Sequence, residues 1–136
     1  MNTTSSSSFT TLQRAARTAA TEGHAVEAEA ILRRVATLVE REFGRASGEY
    51  ANCMHELADV CAERQDWKQA EHDYCAAIDA YRYCPSDTAV VLALRSLGEI
   101  LRHQGKTLEA RQVERQAGSI LARRFAPGQC DGQQLM

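Results

Sequence analysis

The sequence predicts an all-α fold in which three antiparallel helix pairs stack as an α-solenoid, and three observations predict it. Apolar residues recur at three-and-four spacing through most of the chain, as on one face of a helix. Short breaks at Gly23-His24, Arg64-Gln65-Asp66 and Gly105 cut the pattern into facing pairs. Small residues at two separate places then repeat in register: Ala16, Ala58 and Gly98, and again Ala28, Ala70 and Ala110, at offsets of 42 and then 40 residues. Self-similarity at this period marks stacked helical units, each of which needs a neighbour to bury its apolar face, and about three are the practical minimum.

The helix with the plainest signal runs from about Ser86 to His103, with Val90, Val91, Leu94, Leu97, Gly98 and Leu101 on one stripe. Cys84-Pro85 precedes it, Ser86 or Asp87 is its expected cap, and Gly105 stops it. Its partner starts near Thr107 and carries Leu108, Ala110, Val113, Ala117, Ile120 and Leu121 inward. Upstream, Ser47 is the expected cap of a helix striped by Tyr50, Met54, Leu57, Ala58 and Cys61, followed by one striped by Trp67, Ala70, Tyr74, Ala77, Ile78 and Tyr81. The first pair has Phe9, Leu12, Ala15, Ala16 and Ala19, then Val26, Ala28, Ile31, Leu32, Val35 and Val39. Mostly alanine in its first helix, it has the weakest stripe. The expected organisation is a frayed amino terminus over 1–8, repeats over about 9–43, 47–83 and 86–124, and a flexible carboxy-terminal tail over 125–136.

Composition narrows the function. In 136 residues, the 44% apolar and 25% charged fractions suit a single globular domain with a core of its own. The net charge of -2, with both signs interleaved, gives no field to gather phosphate backbones or anionic lipid, so neither nucleic acid nor membrane is an expected partner. Met1 to Thr11 is Ser/Thr-rich without the basic and apolar segments of a signal peptide. Five irregularly spaced cysteines without a C-x-x-C suit reduced thiols, and hence a cytoplasmic protein.

Catalytic and metal signals are weak. His55-Glu56-Leu57-Ala58-Asp59 resembles an H-E-x-x-H with its last ligand replaced, but Leu57 and Ala58 belong to the packing stripe and no third ligand is indicated. His72 and Cys75 share a helix face and could meet Cys53 or Cys84, although such cysteines are more often small buried hydrophobes. No phosphate-cradling glycine loop is present. Arg33-Arg34 and Arg123-Arg124 read as solvated helix ends. The expectation is no catalysis, no cofactor and no metal.

The residues resemble the tetratricopeptide repeat family. Its W-x2-L-G-x2-Y then A-x3-F-x2-A pattern is answered by Met54, Leu57, Ala58, Cys61, Ala70, Tyr74 and Ala77 in the middle unit. In the last unit Leu94, Leu97, Gly98, Leu101, Ala110 and Ala117 answer it, with Glu114 in the aromatic slot. The first unit offers Leu12, Ala15, Ala16, Ala19, Ala28, Leu32 and Val35. The period exceeds the common 34 residues, and segments such as Trp67-Lys68-Gln69-Ala70-Glu71 look like the longer variant found in kinesin light chain and many bacterial proteins. The resemblance implies a right-handed superhelix whose concave face, lined by the first helix of each pair, grips a peptide or protein segment.

On that face the positions between stripes are Gln13, Arg17, Asn52, His55, Asp59, Arg95, Glu99 and Arg102. Their mixed charge suits a peptide backbone with a few charged side chains. The carboxylate clamp of some family members is not expected, because Gln13, Arg17, Glu56, Leu92 and Ser96 stand at its places. The expected function is thus a scaffold or adaptor. Two alternatives are a self-assembling unit, a homodimer through the apolar open end of the last helix, and a small secretion or regulatory chaperone subunit.

Overall fold

The computed structural model describes residues 2–84 and 86–125. Six helices follow one another: α1 Asn2–Thr21, α2 Ala25–Phe43, α3 Gly48–Glu63, α4 Trp67–Tyr81, α5 Asp87–His103 and α6 Thr107–Phe125. Packing runs in chain order, α1 on α2, α2 on α3 and so on to α6, as stacked pairs require.

The three turns within pairs share one geometry, which fixes the repeat register. Gly23, Gln65 and Gly105 adopt positive φ of 83°, 62° and 79°. The following N–H then closes on the carbonyl five residues back: His24 to Ala19 at 2.7 Å, Asp66 to Cys61 at 2.9 Å, Lys106 to Leu101 at 2.8 Å. This is the Schellman closure that satisfies the last carbonyls of a helix. Gln65 adopts the left-handed backbone without being glycine, at a steric cost glycine would avoid. Ser47 caps α3 by accepting from the Tyr50 N–H, and Asp66 caps α4 by accepting from Gln69.

Small anchors sit where the pairs close. Ala28, Ala58, Ala70 and Ala110 are wholly buried, with Leu57, Leu94 and Leu97 beside them. Gly98 fits a different reason from helix closeness alone: a Cβ there would meet Glu114 Cγ at 3.0 Å, so its bareness leaves room for a carboxylate laid across α5 from α6.

Several elements depart from the sequence reading. Helix α1 reaches back to Asn2, into the 1–8 stretch expected to fray; adding a turn to an existing helix costs far less than nucleating one. The tail lies, beyond Phe125, outside the described residues. Ser86 precedes α5 but makes no capping bond, leaving Asp87 to favour the helix start by charge. Val26 and Leu108, read as inward, are exposed; both occupy the second position of their helix, where the middle pair has Lys68. Trp67, expected on the apolar stripe of its helix, is half-buried and stacks on His103 with ring centroids 4.2 Å apart and 5° between planes, bridging α4 to the end of α5.

Arg33 is no solvated helix end. Its guanidinium reaches from α2 to Asp73 of α4, at 2.9 and 3.3 Å to the two carboxylate oxygens. Asp73 is fully buried and also accepts from the Gln69 amide at 3.2 Å. Glu29 takes Arg33 at 3.2 Å and pairs with Arg64 of the next turn. The equivalent residue one unit on, Glu71, accepts from Gln104 at 2.8 Å and Lys106 at 3.1 Å. Burial alone would raise the pKa of Glu71, but these donors outweigh it and hold it below the ordinary value of 4.5. A folded-state value below the unfolded one means that this clasp stabilises at neutral pH and lets go as pH falls through the lowered value.

The Arg33–Asp73 pair predicts unequal losses. Arg33→Met strands a buried carboxylate and costs about 3 kcal/mol. Asp73→Asn keeps the size and one acceptor but sets an NH2 donor against Arg33, which at 36% exposure can turn an N–H to water, so the loss is the smaller one, about 1 kcal/mol. Urea denaturation of both variants checks the order; equal losses would contradict it.

Candidate binding face

The first helix of the middle pair places Asn52, His55, Glu56 and Asp59 on one lane, because residues three and four apart share a helix face. Two tyrosines of α4 rise beside that lane and order it. The Tyr81 hydroxyl donates to Asn52 Oδ1 at 3.0 Å and lies 3.2 Å from His55 Nδ1. With its single proton given to Asn52, Tyr81 accepts from the imidazole, which leaves His55 Nε2 as an acceptor for a ligand. The His55 ring stands edge-on to Tyr74 and Tyr81, at 5.8 and 6.2 Å between centroids.

Tyr74 donates to Asp59, and its hydroxyl is near enough to Ser96 of α5 to feel that side chain, so it stands where the lanes of the second and third pairs meet. Burial, reinforced by the Asp59 carboxylate, raises the pKa of Tyr74, and burial does the same for Tyr81. Both phenols therefore stay neutral donors at physiological pH. Toward the first pair, Arg17 Nε reaches Glu56 at 3.2 Å.

Of the eight residues read as the gripping set, Asn52, His55 and Asp59 come together around the tyrosines. Arg17 joins them through Glu56, and Gln13 lies half-buried on α1. Arg95 and Glu99 instead line a groove of about 530 Å³ with Glu114, Ala117, Gly118 and Leu121 at the α6 end. Arg102 turns to α6, where Glu114 accepts two bonds from it at 3.0 and 2.6 Å. The sequence reading missed the polar work of Tyr74 and Tyr81, which it assigned to packing. Their seven-residue spacing matches that of Asn52 and Asp59, and this was the available signal.

Chemistry of other kinds finds little to use. Among the described residues no three His, Cys, Asp or Glu side chains gather as a metal site, and His72 lies against Asp73 at 3.3 Å. Burial pushes the thiols of Cys53 and Cys61 up to about 12, so neither is a nucleophile in the folded chain. Among the described residues no helix is long and apolar enough to cross a membrane.

The stacked pairs, their shared turns and their small anchors define a helical repeat protein. The model of the tetratricopeptide repeat family matches residues 7–82, more than half of the chain, and the chain belongs to that family. The match takes in the alanine-rich first pair and ends before the third, which keeps the same turn while carrying Glu114 where the second has Tyr74. No curated protein matches the chain. Tetratricopeptide repeats generally mediate protein–protein interactions and form a class of non-enzymatic scaffold.

The thiols give a prediction. Iodoacetamide at pH 8 should label exposed Cys84 in the native protein well before Cys53 and Cys61, which should react only as the chain opens. Peptide mapping by mass spectrometry reads the order. Early labelling of Cys53 would show the α2–α3 interface to be loose.

Proposed function

We propose that the chain is a cytoplasmic adaptor that holds an extended or helical segment of another protein along the lane of Asn52, His55 and Asp59. The observation that supports this best is the pair of buried phenols beneath the lane. They fix Asn52 and Asp59 in place, and positioned polar groups bind at a smaller entropic cost than mobile ones. The lane offers an amide, an imidazole acceptor and a carboxylate within two turns of one helix, a set that suits main-chain N–H groups and a basic side chain. Arg17 at one edge and Arg95 at the other would take acidic residues of the same segment. A net charge of -2 supports protein in preference to nucleic acid or an anionic membrane as the partner.

Peptides selected from a random display library against the protein test the reading. Asn52→Arg, which places a large cation on the lane, should weaken their binding at least tenfold, while Arg34→Glu on exposed α2 should leave it within twofold. Selected peptides that ignore Asn52→Arg and respond to Arg34→Glu would move the site off this face. Circular dichroism of both variants checks that helicity is kept.

A further inference from the structure

The repeat register makes the two ends of the solenoid comparable with its internal joints. At the first joint, beside the Arg33–Asp73 pair, two further ion pairs link neighbouring units: Arg17 of α1 with Glu56 of α3, and Glu29 of α2 with Arg64 in the α3–α4 turn. At the second joint the same positions meet again, as Asp59 with Ser96 about the Tyr74 hydroxyl, and as Glu71 with Gln104. Two positions on each unit therefore face two fixed positions on the next.

Carried past the last unit, the forward positions become Glu99 and Arg111. Carried back before the first, the receiving positions become Arg14 and Glu22. All four are exposed. Each would meet its opposite: Glu99 faces Arg14, where the first joint has Arg17 with Glu56, and Arg111 faces Glu22, where it has Glu29 with Arg64. Both pairs are kept with their signs reversed.

Among the described residues, the surfaces between these charges are open at both ends. At the α6 end, the groove lined by Ala117, Gly118 and Leu121 occupies the place that α5 fills on Ala77, Ile78 and Tyr81. A Cβ on Gly118 would meet nothing within 4 Å, and Leu92 and Leu121 beside it are 52% and 38% exposed. At the α1 end, a groove of about 450 Å³ is lined in part by Thr11, Arg14, Ala15, Thr18 and Glu22. Thr11, Ala15 and Thr18 stand where α3 has Cys53, Leu57 and Val60, and their short side chains suit a seat made of alanine and glycine.

We infer that the α6 end of one copy receives α1 of a second copy, head to tail, through Glu99 with Arg14 and Arg111 with Glu22. The contact is heterologous, so it leaves a free end on each copy and grows into open chains or a ring. Solvent-exposed ion pairs and threonine in place of larger apolar residues make it weak and sensitive to salt. It uses the ends of the solenoid and leaves Asn52, His55 and Asp59 free for a partner, sharing only Arg95, which lines the α6 groove.

Charge reversal tests it on the full chain. The weight-average mass, read by sedimentation from 10 µM to 1 mM at about 0.05 M salt, should rise past that of a dimer and fall back at about 0.5 M salt. A head variant, Arg14→Glu with Glu22→Arg, should stay monomeric. So should a tail variant, Glu99→Arg with Arg111→Glu. An equimolar mixture of the two restores both pairs at every joint and should associate as the natural chain does. A monomer throughout the natural titration would overturn the inference. So would a discrete dimer indifferent to both variants, which would mean that the α6 face closes on its own copy, and so would a mixture that fails to associate.

Discussion

Everything in this structure depends on one constraint: each helix pair has an apolar face that only the next pair can cover. The constraint dictates the wholly buried alanines at 28, 58, 70 and 110, because two helices that must share a narrow seam cannot carry bulk along it. It also dictates the left-handed turn at 23, 65 and 105, which returns the chain along its own helix within a few residues. Polar contacts then set how far one pair may slide on another. Arg33 on Asp73, Glu29 with Arg64, and Glu71 with Gln104 and Lys106 all cross from one unit to its neighbour. Apolar burial supplies attraction without direction, and these pairs supply the direction.

The same arrangement produces the binding lane. A first helix that buries Met54, Leu57, Ala58 and Cys61 must turn Asn52, His55 and Asp59 away from the core. Tyr74 and Tyr81, packed from the second helix, present their hydroxyls at the edge of that core. The buried ring makes the tyrosine part of the fold, and its oxygen makes it part of the site. The third unit lacks this device: Glu114 replaces the phenol and is held by Arg102 over the bare backbone of Gly98. The lane is therefore best ordered in the middle of the molecule.

Much of this was legible in the sequence because the repeat is. Aligning Ala16, Ala58 and Gly98 places the turns, the stripes and the polar lane together, and the helix bounds follow to within a few residues except at the amino end. What escaped was whatever depends on one unit meeting another. Arg33 and Asp73 lie 40 residues apart, and neither is unusual in its own helix. Down the repeat, however, Asp73 stands in a column with Ile31 and Val113, and a lone carboxylate in an apolar column demands a buried partner. Trp67 shares its column with Ala25 and Thr107 at the first position of a helix, which explains why it sits at the rim and not in a seam. Reading across units, in addition to along each helix, would have recovered both.

Hydrogen exchange of backbone amides under native conditions, resolved by residue, tests the nearest-neighbour account most directly. Stability carried by joints between units leaves the middle pair, α3 and α4, with two covered faces and each outer pair with one, so protection should be greatest in α3 and α4 and fall toward α1 and α6. Equal protection across all six helices, lost in a single step, would show a closed core held together as a whole and would contradict the account.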